Sequence, residues 1–128
     1  MTLDSSALVA ILFAEPGHLD LIDRILAADS VRVGAPTLVE TCLVFAGRRK
    51  SSAVGEVEAL VRELEVTVAP FGAREWHAAV AGFLRFGRGH HEASLNFGDC
   101  LAYAAATVVN DSLLFVGDDF ALTDVTPA

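Results

Sequence analysis

Four acidic residues from distant parts of the sequence each lie beside an apolar segment: Asp4, Glu40, Asp99 and Asp118. Asp4 follows MTL and Asp118 follows LLFVG, and both segments are candidates for short strands. Asp99 lies near the start of LNFGDCLAYAAATVV, which reads as a helix for a protein interior. Glu40 interrupts the apolar run PTLVETCLV, where an unpaired buried glutamate would be unfavourable. Brought together, such carboxylates would bind Mg²⁺ or Mn²⁺ and support phosphodiester hydrolysis.

The apolar patterns along the chain predict strands that alternate with helices. The strand candidates are MTLD, SVRVGA, VTVAPF and SLLFVGDD, with LTDVTPA as a candidate for a short last strand. The helix candidates are SSALVAILFAEPG, stopped by Pro16-Gly17, then HLDLIDRILAAD, the segment from Pro36 to about Gly47, SSAVGEVEALVRELE, AREWHAAVAGFLRFG, and the helix that contains Asp99. We therefore expect an α/β fold, a three-layer α/β/α sandwich around a central parallel sheet of about 4–5 short strands.

In such a sheet the four acids would meet at one edge. Ligands bind at the carboxyl ends of parallel strands, and Asp4 and Asp118 directly follow two of these ends. Glu40 lies about one turn into the helix after the second strand. The helix of Asp99 precedes the LLFV strand and should run antiparallel to it, which returns Asp99 to the same edge. Because like charges repel, this cluster predicts a divalent cation held by Asp4, Asp99 and Asp118, with Glu40 completing the catalytic group.

Each acid also has a purely structural explanation. Asn96 and Asp99 match the capping-box pattern, with Asn96 as N-cap and Asp99 at N3. Asp4 would cap the first helix, and Asp118 and Asp119 would be turn residues. Capping and turn formation do not explain why all four acids should lie at the same edge of the sheet. Their common position therefore favours a metal site.

The composition predicts one domain with a further apolar surface. A chain of 128 residues is expected to fold as a single domain over 1–128. Hydrophobic residues make up 53% of the chain and the mean hydropathy is +0.49, which indicates a surface covered by a partner or a second copy. The net charge of −8 argues against a protein that holds nucleic acid by bulk electrostatics. It does not exclude one that acts on nucleic acid through bound cations.

The cysteines and the N-terminal residues indicate the cellular compartment of the protein. Cys42 and Cys100 both lie in apolar helical patterns and are expected to be free, buried thiols. No apolar run approaches the roughly 18 residues of a membrane span. No basic residue precedes the first apolar run, so a signal peptide is not expected. We interpret the protein as cytoplasmic.

Four blocks of the sequence, in order, resemble a PIN-domain ribonuclease and, more closely, the VapC toxins of bacterial toxin–antitoxin pairs. The blocks are LDSSALVAILFAEP, PTLVETCLV, LNFGDCLAYAAA and LLFVGDDFALTDV. The resemblance covers essentially the whole chain. It implies a single PIN domain, RNA cleavage that depends on Mg²⁺ or Mn²⁺, a homodimer, and inhibition by a VapB-type antitoxin.

The resemblance also assigns the acids position by position. Asp4, Glu40 and Asp99 match the first three acids of the family. The fourth falls in GDDF, where we favour Asp118 and hold Asp119 as the substitute. No acid of this core set is missing, so the resemblance implies an active enzyme.

Further residues are candidates for supporting roles. Ser6 matches a small hydroxyl position after the first acid and is expected to help orient Asp4. Asp124, in LTDV, matches a recurring acid. The candidates for contacts with RNA or antitoxin are Arg48, Arg49, Lys50, Arg85, Arg88, His90 and His91. For the arginine–lysine run, a favourable position at a helix C-terminus is the structural alternative, and for the histidines it is a solvated loop.

Other functions are less consistent with the sequence. A phosphatase of the haloacid-dehalogenase kind needs a second acid two residues after the first, where this sequence has Ser6. That class and the receiver domains also need a late lysine, and Lys50 is the only lysine of the chain. The remaining alternative is a non-catalytic protein-interaction module of the same fold, in which the acids only cap helices and form turns. Such a module predicts no dependence on cations.

Overall fold

Four short parallel strands form the sheet in the computed structural model, which describes residues 1–49 and 52–128. The strands are β1 (Thr2–Leu3), β2 (Arg32–Gly34), β3 (Thr67–Ala69) and β4 (Leu113–Leu114). They lie side by side in the order β3-β2-β1-β4. In the central strand, Leu3 pairs with Val33 on one side and with Leu114 on the other. The predicted parallel sheet is confirmed.

Each predicted helix is present in the described residues. The helices are α1 (Ser5–Leu12), α2 (His18–Ala27), α3 (Ala35–Arg49), α4 (Ala53–Glu63), α5 (Ala73–Phe86) and α6 (Phe97–Thr107). The first of them ends earlier than Pro16-Gly17, because the chain already turns at Ala14, whose φ is 49°. Gly17 then adopts a φ of 89° and caps α2, a conformation that glycine adopts without steric cost.

The segment LTDVTPA does not form the short last strand considered from the sequence. It contributes one isolated parallel bridge, between Pro127 and Leu113. Leu113 donates its N–H to the Thr126 carbonyl, and the Ala128 N–H donates to the Leu113 carbonyl.

Two hydrophobic cores, one on each face of the sheet, produce the three layers. Neighbouring residues of a strand point to opposite faces, and Leu113 and Leu114 accordingly belong to different cores. Leu114 packs with residues of β1, β2, α1 and α2, including Leu3, Val33, Leu8 and Ile25. Leu113 packs with residues of α5, α6 and the C-terminal segment, including Phe86, Tyr103 and Phe120. The predicted α/β/α sandwich is confirmed.

Small residues allow α6 to lie close to the sheet and to α5. A Cβ atom at Gly34, in β2, would lie 3.2 Å from the Cβ of Ala105. A Cβ atom at Gly82, in α5, would lie 2.6 Å from the Tyr103 ring. These contacts hold α6 with its N-terminal end, and therefore Asp99, at the carboxyl edge of the sheet. Among the described residues, no helix has both the length and the apolar character to cross a membrane.

Candidate active site

Asp4 lies directly after β1 and caps the N-terminus of α1. Its Oδ2 accepts hydrogen bonds from the Ser6 N–H at 2.9 Å and from the Ser6 hydroxyl at 2.5 Å. The residue is 3% exposed, and its Oδ1 is buried without a hydrogen-bond partner. A buried carboxylate oxygen without a partner is costly. One oxygen of Asp4 is therefore fixed by the protein, and the other is available to a cation.

Ser6 links Asp4 to the segment that follows β4. Its hydroxyl donates to Asp4 Oδ2 and accepts from the Val116 N–H at 2.9 Å. Val116 lies 110 positions away in the chain and three residues before Asp119. The Ser6 hydroxyl thus couples the orientation of the first acid to the loop that carries the last one.

Asp99 combines a cap with a position near the other acids. Asn96 Oδ1 accepts from the Asp99 N–H at 3.0 Å, and Asp99 Oδ2 accepts from the Asn96 N–H at 2.7 Å, which confirms the predicted capping box. The pKa of the Asp99 carboxyl is raised to about 6: burial is the largest cause, the hydrogen bond from the Asn96 N–H opposes the increase, and the charges of Asp4, Asp119 and Glu40 add to it. The Asp99 side chain therefore both caps the N-terminus of α6 and lies near the other acids.

Glu40, on α3, lies against the first turn of α6. A Cβ atom built at Gly98 would lie 2.6 Å from Glu40 Oε2, so a larger residue at position 98 would displace this carboxylate. Burial raises the pKa of Glu40, the Ser5 hydroxyl opposes this, and the charge of Asp4 raises it further. Sequence reasoning did not single out Gly98, although its place beside Asp99 in NFGD was the available signal.

The electrostatics around GDDF favour Asp119 over Asp118 as the fourth acid. The charge of Asp119 raises the pKa of both Asp4 and Asp99, and Asp118 is not among the main charges that act on either. Both aspartates are exposed, and the Asp118 carbonyl accepts from the Ala121 N–H at 3.0 Å in the turn. We therefore propose Asp119 as the fourth acid, in place of Asp118, which the sequence favoured.

The acid group consists of Asp4, Glu40, Asp99 and Asp119, at the carboxyl edge of the sheet. Across 1–49 and 52–128, no three His, Cys, Asp or Glu side chains form a preformed metal centre. Two observations nevertheless fit a hard divalent cation: the unpartnered buried oxygen of Asp4, and pKa values raised in part by mutual repulsion. All these donors are carboxylate oxygens, which suit Mg²⁺ or Mn²⁺.

The arginines predicted to contact RNA mostly have partners within the protein. Arg48 forms an ion pair with Glu15 at 2.8 Å, and Arg49 lies over the Phe13 ring at 5.5 Å. Arg85 pairs with Asp124, which also accepts from the Tyr103 hydroxyl at 2.8 Å. Asp124 therefore fastens the C-terminal segment to α5 and α6, and it is not among the main charges acting on the acid group.

The remaining contact candidates lie on the loop between α5 and α6 or outside the described residues. Arg88 is exposed, and His90 packs edge-on against Phe83 with ring centroids 5.2 Å apart. His91 accepts from the Ala93 N–H at 3.1 Å and packs edge-on against Phe86. These contacts account for the two histidines as loop-stabilising side chains. The prediction for Lys50 lies outside the described residues.

The raised pKa of Asp99 predicts an unusual pH dependence of stability without metal. Its folded-state pKa of about 6 lies above the ordinary value of 3.8, so the folded protein binds this proton more tightly than the unfolded chain does. The free energy of unfolding in EDTA should therefore fall as the pH rises from about 4 to about 6, by about 1–2 kcal/mol after allowance for solvent screening. Thermal unfolding measured in steps between pH 4 and pH 7 tests this. An Asp99→Asn variant with the same pH dependence would contradict the assignment.

Comparison with known proteins identifies the fold family. The family model described as "PIN domain" matches residues 1–125. The chain belongs to the PIN-domain family. Ribonuclease VapC36 of Mycobacterium tuberculosis is 40% identical to this PIN domain over 126 residues, which cover 98% of this chain and 91% of that protein. Ribonuclease VapC of Mycolicibacterium smegmatis is 38% identical, with 98% of this chain and 97% of that protein covered.

Solved structures show the same fold at lower sequence identity. The crystal structure of VapC20 of Mycobacterium tuberculosis, described as a Sarcin-Ricin loop cleaving toxin, superposes with a TM-score of 0.78 and 19% identity, covering 99% of this chain and 97% of that one. A toxin–antitoxin complex from Klebsiella pneumoniae superposes with a TM-score of 0.69 and 17% identity over the same shares of the two chains. Both likenesses confirm the PIN-like architecture.

Proposed function

We propose that this PIN domain is a divalent-cation-dependent endoribonuclease and the toxin component of a type II toxin–antitoxin pair. The observation that carries the proposal is the acid group, in which carboxylates from four separate segments act on one another at the carboxyl edge and Asp4 keeps one oxygen unpaired. Relatives 38–40% identical over nearly the whole chain are named VapC ribonucleases, which supports RNA as the substrate.

Three members of the acid group are assigned as ligands of Mg²⁺ or Mn²⁺: Asp4, Asp99 and Asp119. When bound, the cation lowers the pKa of an attacking water and stabilises the leaving oxygen. Ser6 fixes one oxygen of Asp4 and leaves the other free for binding. Glu40, which is half-buried and has a raised pKa, accepts the proton of the attacking water.

Two protein partners follow from the exposed apolar surface. Large apolar side chains on β3, α4 and α5 are about half exposed or more: Val68, Val54, Val80 and Leu84. A groove of 610 Å³ between α3 and α4 is lined mainly by apolar residues such as Leu38, Val57 and Val61. Exposed apolar area of this extent marks interaction sites. We assign it to a second copy in a homodimer and to a cognate VapB-type antitoxin, with the protein acting in the cytoplasm.

Cleavage of total cellular RNA tests the proposal. Purified protein is incubated with Mg²⁺ or Mn²⁺ and with EDTA, alongside Asp4→Ala and the control Asp23→Ala, which removes an exposed acid of α2. We expect discrete fragments that require the cation, disappear with Asp4→Ala and persist with Asp23→Ala. Addition of the co-purified antitoxin should suppress them.

The alternative function is a non-catalytic interaction module of the same fold. In that case the acids serve only as caps and turn residues, as the hydrogen bonds of Asp4 and Asp99 also permit. Intact RNA under every condition, with no increase in Tm on addition of Mn²⁺, would support the module and overturn the nuclease.

A further inference from the structure

Phe97 is an exposed aromatic side chain beside the acid group. It is the first residue of α6, two positions before Asp99, and it is 80% exposed, more than any other large apolar side chain in the described residues. Phe86 and Phe120, by contrast, are 5% and 2% exposed and belong to the core. Nothing in the packing of α6 therefore requires an aromatic ring at position 97.

The ring of Phe97 lies in a groove that also contains a member of the acid group. The groove has a volume of 710 Å³ and is lined by residues of α3 and α6, among them Val39, Glu40, Leu43, Phe97 and Gly98. Apart from the Glu40 carboxylate these side chains are apolar. A ligand that enters this groove can therefore contact both the Glu40 carboxylate of the acid group and the aromatic ring of Phe97.

Electrostatics do not favour an anionic group in this groove. The principal charges that act on Asp4, Glu40 and Asp99 are themselves acidic, and the protein carries a net charge of −8. A phosphate here would gain no ion pair with the groove lining. A nucleobase is uncharged and has two π-faces, and stacking on an aromatic side chain is the contact that binds bases irrespective of charge.

We propose that Phe97 is a substrate-positioning residue that stacks on an unpaired nucleobase next to the scissile phosphate. This inference rests on the proposed ribonuclease function and specifies its substrate class. In a duplex both faces of a base are already stacked, so a base can reach Phe97 only from a single strand, a loop or a bulge. The protein should thus prefer unpaired RNA at the cleavage site.

Steady-state cleavage of a synthetic RNA copied from a mapped cleavage site tests this proposal. The RNA is supplied single-stranded and annealed to its complement, with wild type, Phe97→Trp, Phe97→Leu and Phe97→Ala. Phe97→Ala should raise KM roughly 5- to 150-fold with kcat retained, because stacking contributes equally before and during the reaction. Phe97→Trp should retain a low KM. Phe97→Leu, which is apolar but has no π-face, should behave like Phe97→Ala.

The matched control is Trp76→Ala on α5. Trp76 is also an exposed aromatic residue, at 52%, but it stacks on His77 with ring centroids 3.6 Å apart and does not line the groove. Its replacement should leave KM unchanged. Wild type should cleave the single strand faster than the duplex, and Phe97→Ala should reduce that preference.

Several results would overturn the role of Phe97. If wild type cleaves RNA and Phe97→Ala has an unchanged KM, the stacking role is wrong while the nuclease stands. If Phe97→Leu keeps the wild-type KM, the ring provides only apolar contact. If Phe97→Ala instead changes the oligomeric state in size-exclusion chromatography, or weakens antitoxin inhibition alone, the residue belongs to a protein interface. If wild type cleaves no RNA, the proposed function fails and this inference fails with it.

Discussion

An Asp99→Asn variant of this PIN domain should lose RNA cleavage by at least about a hundredfold while it keeps its fold. Asp99 is one of the assigned metal ligands, and an amide oxygen is a weaker ligand than a carboxylate for Mg²⁺ or Mn²⁺. The cap should survive, because the Asn96 side chain still accepts from the N–H of residue 99, and an amide oxygen can accept from the Asn96 N–H in place of Oδ2. Cleavage rate and Tm, measured on the same preparation, separate the two effects.

Although Asp99→Asn should lose RNA cleavage, it should be at least as stable as wild type when no metal is present. Without metal, Asp99→Asn removes a partly buried charge that Asp4, Asp119 and Glu40 repel, so Tm in EDTA at pH 7 should equal or exceed that of wild type. The increase in Tm on addition of Mn²⁺ should shrink in the variant. Asp23→Asn on α2 is the control with the same change in an exposed acid. An active Asp99→Asn variant would show that Asp99 is only a helix cap.

The fold and the edge on which the acids meet could be predicted from the sequence because both depend on local patterns. Alternating apolar strands and amphipathic helices specify a parallel sheet. Once the sheet is parallel, residues that follow strands must share one edge, and this places Asp4 and the GDDF loop together. The helix of Asp99 returns to that edge for the same topological reason. Neither step requires the position of any individual side chain.

Details that depend on contacts between distant residues could not be predicted. The sequence makes Arg48 a candidate for a contact with RNA or antitoxin. Its ion-pair partner Glu15 lies 33 positions earlier in the chain, and no local pattern connects the two residues. The sequence makes Asp124 a candidate for a supporting role, and its partners Tyr103 and Arg85 are known only once α5 and α6 pack together. No local periodicity marks which polar side chain will meet another across the fold.

The choice between Asp118 and Asp119 is the detail that the sequence predicts least well, because the two residues are identical and adjacent. The turn that carries them is bounded by Gly117, which has a φ of 100°, and by Phe120, which is buried in the core at 2% exposure. The turn between these two points decides which aspartate faces Asp4. A positive φ at Gly117 is compatible with the sequence, but its effect on the next two side chains is not encoded in their types.

Asp119→Asn is therefore expected to reduce RNA cleavage at least about tenfold more than Asp118→Asn does. Of these two aspartates, Asp119 is the one whose charge raises the pKa of Asp4 and Asp99, so its removal should also lower the raised pKa of Asp99. Asp118→Asn changes an exposed turn residue whose carbonyl, rather than its carboxylate, is used by the turn. Cleavage rates and Mn²⁺ titrations of the two variants, compared under the same conditions, measure the difference.

The two variants carry the same change at neighbouring positions, so a general effect of charge or of loop stability would affect both equally. A selective loss with Asp119→Asn, together with weaker Mn²⁺ stabilisation, places Asp119 among the metal-binding acids. The reverse order would restore Asp118 as the fourth acid and would mean that the loop after β4 rearranges when the cation binds. Equal and small losses would instead limit the catalytic acids to Asp4, Glu40 and Asp99, since the GDDF loop would then act only as a turn.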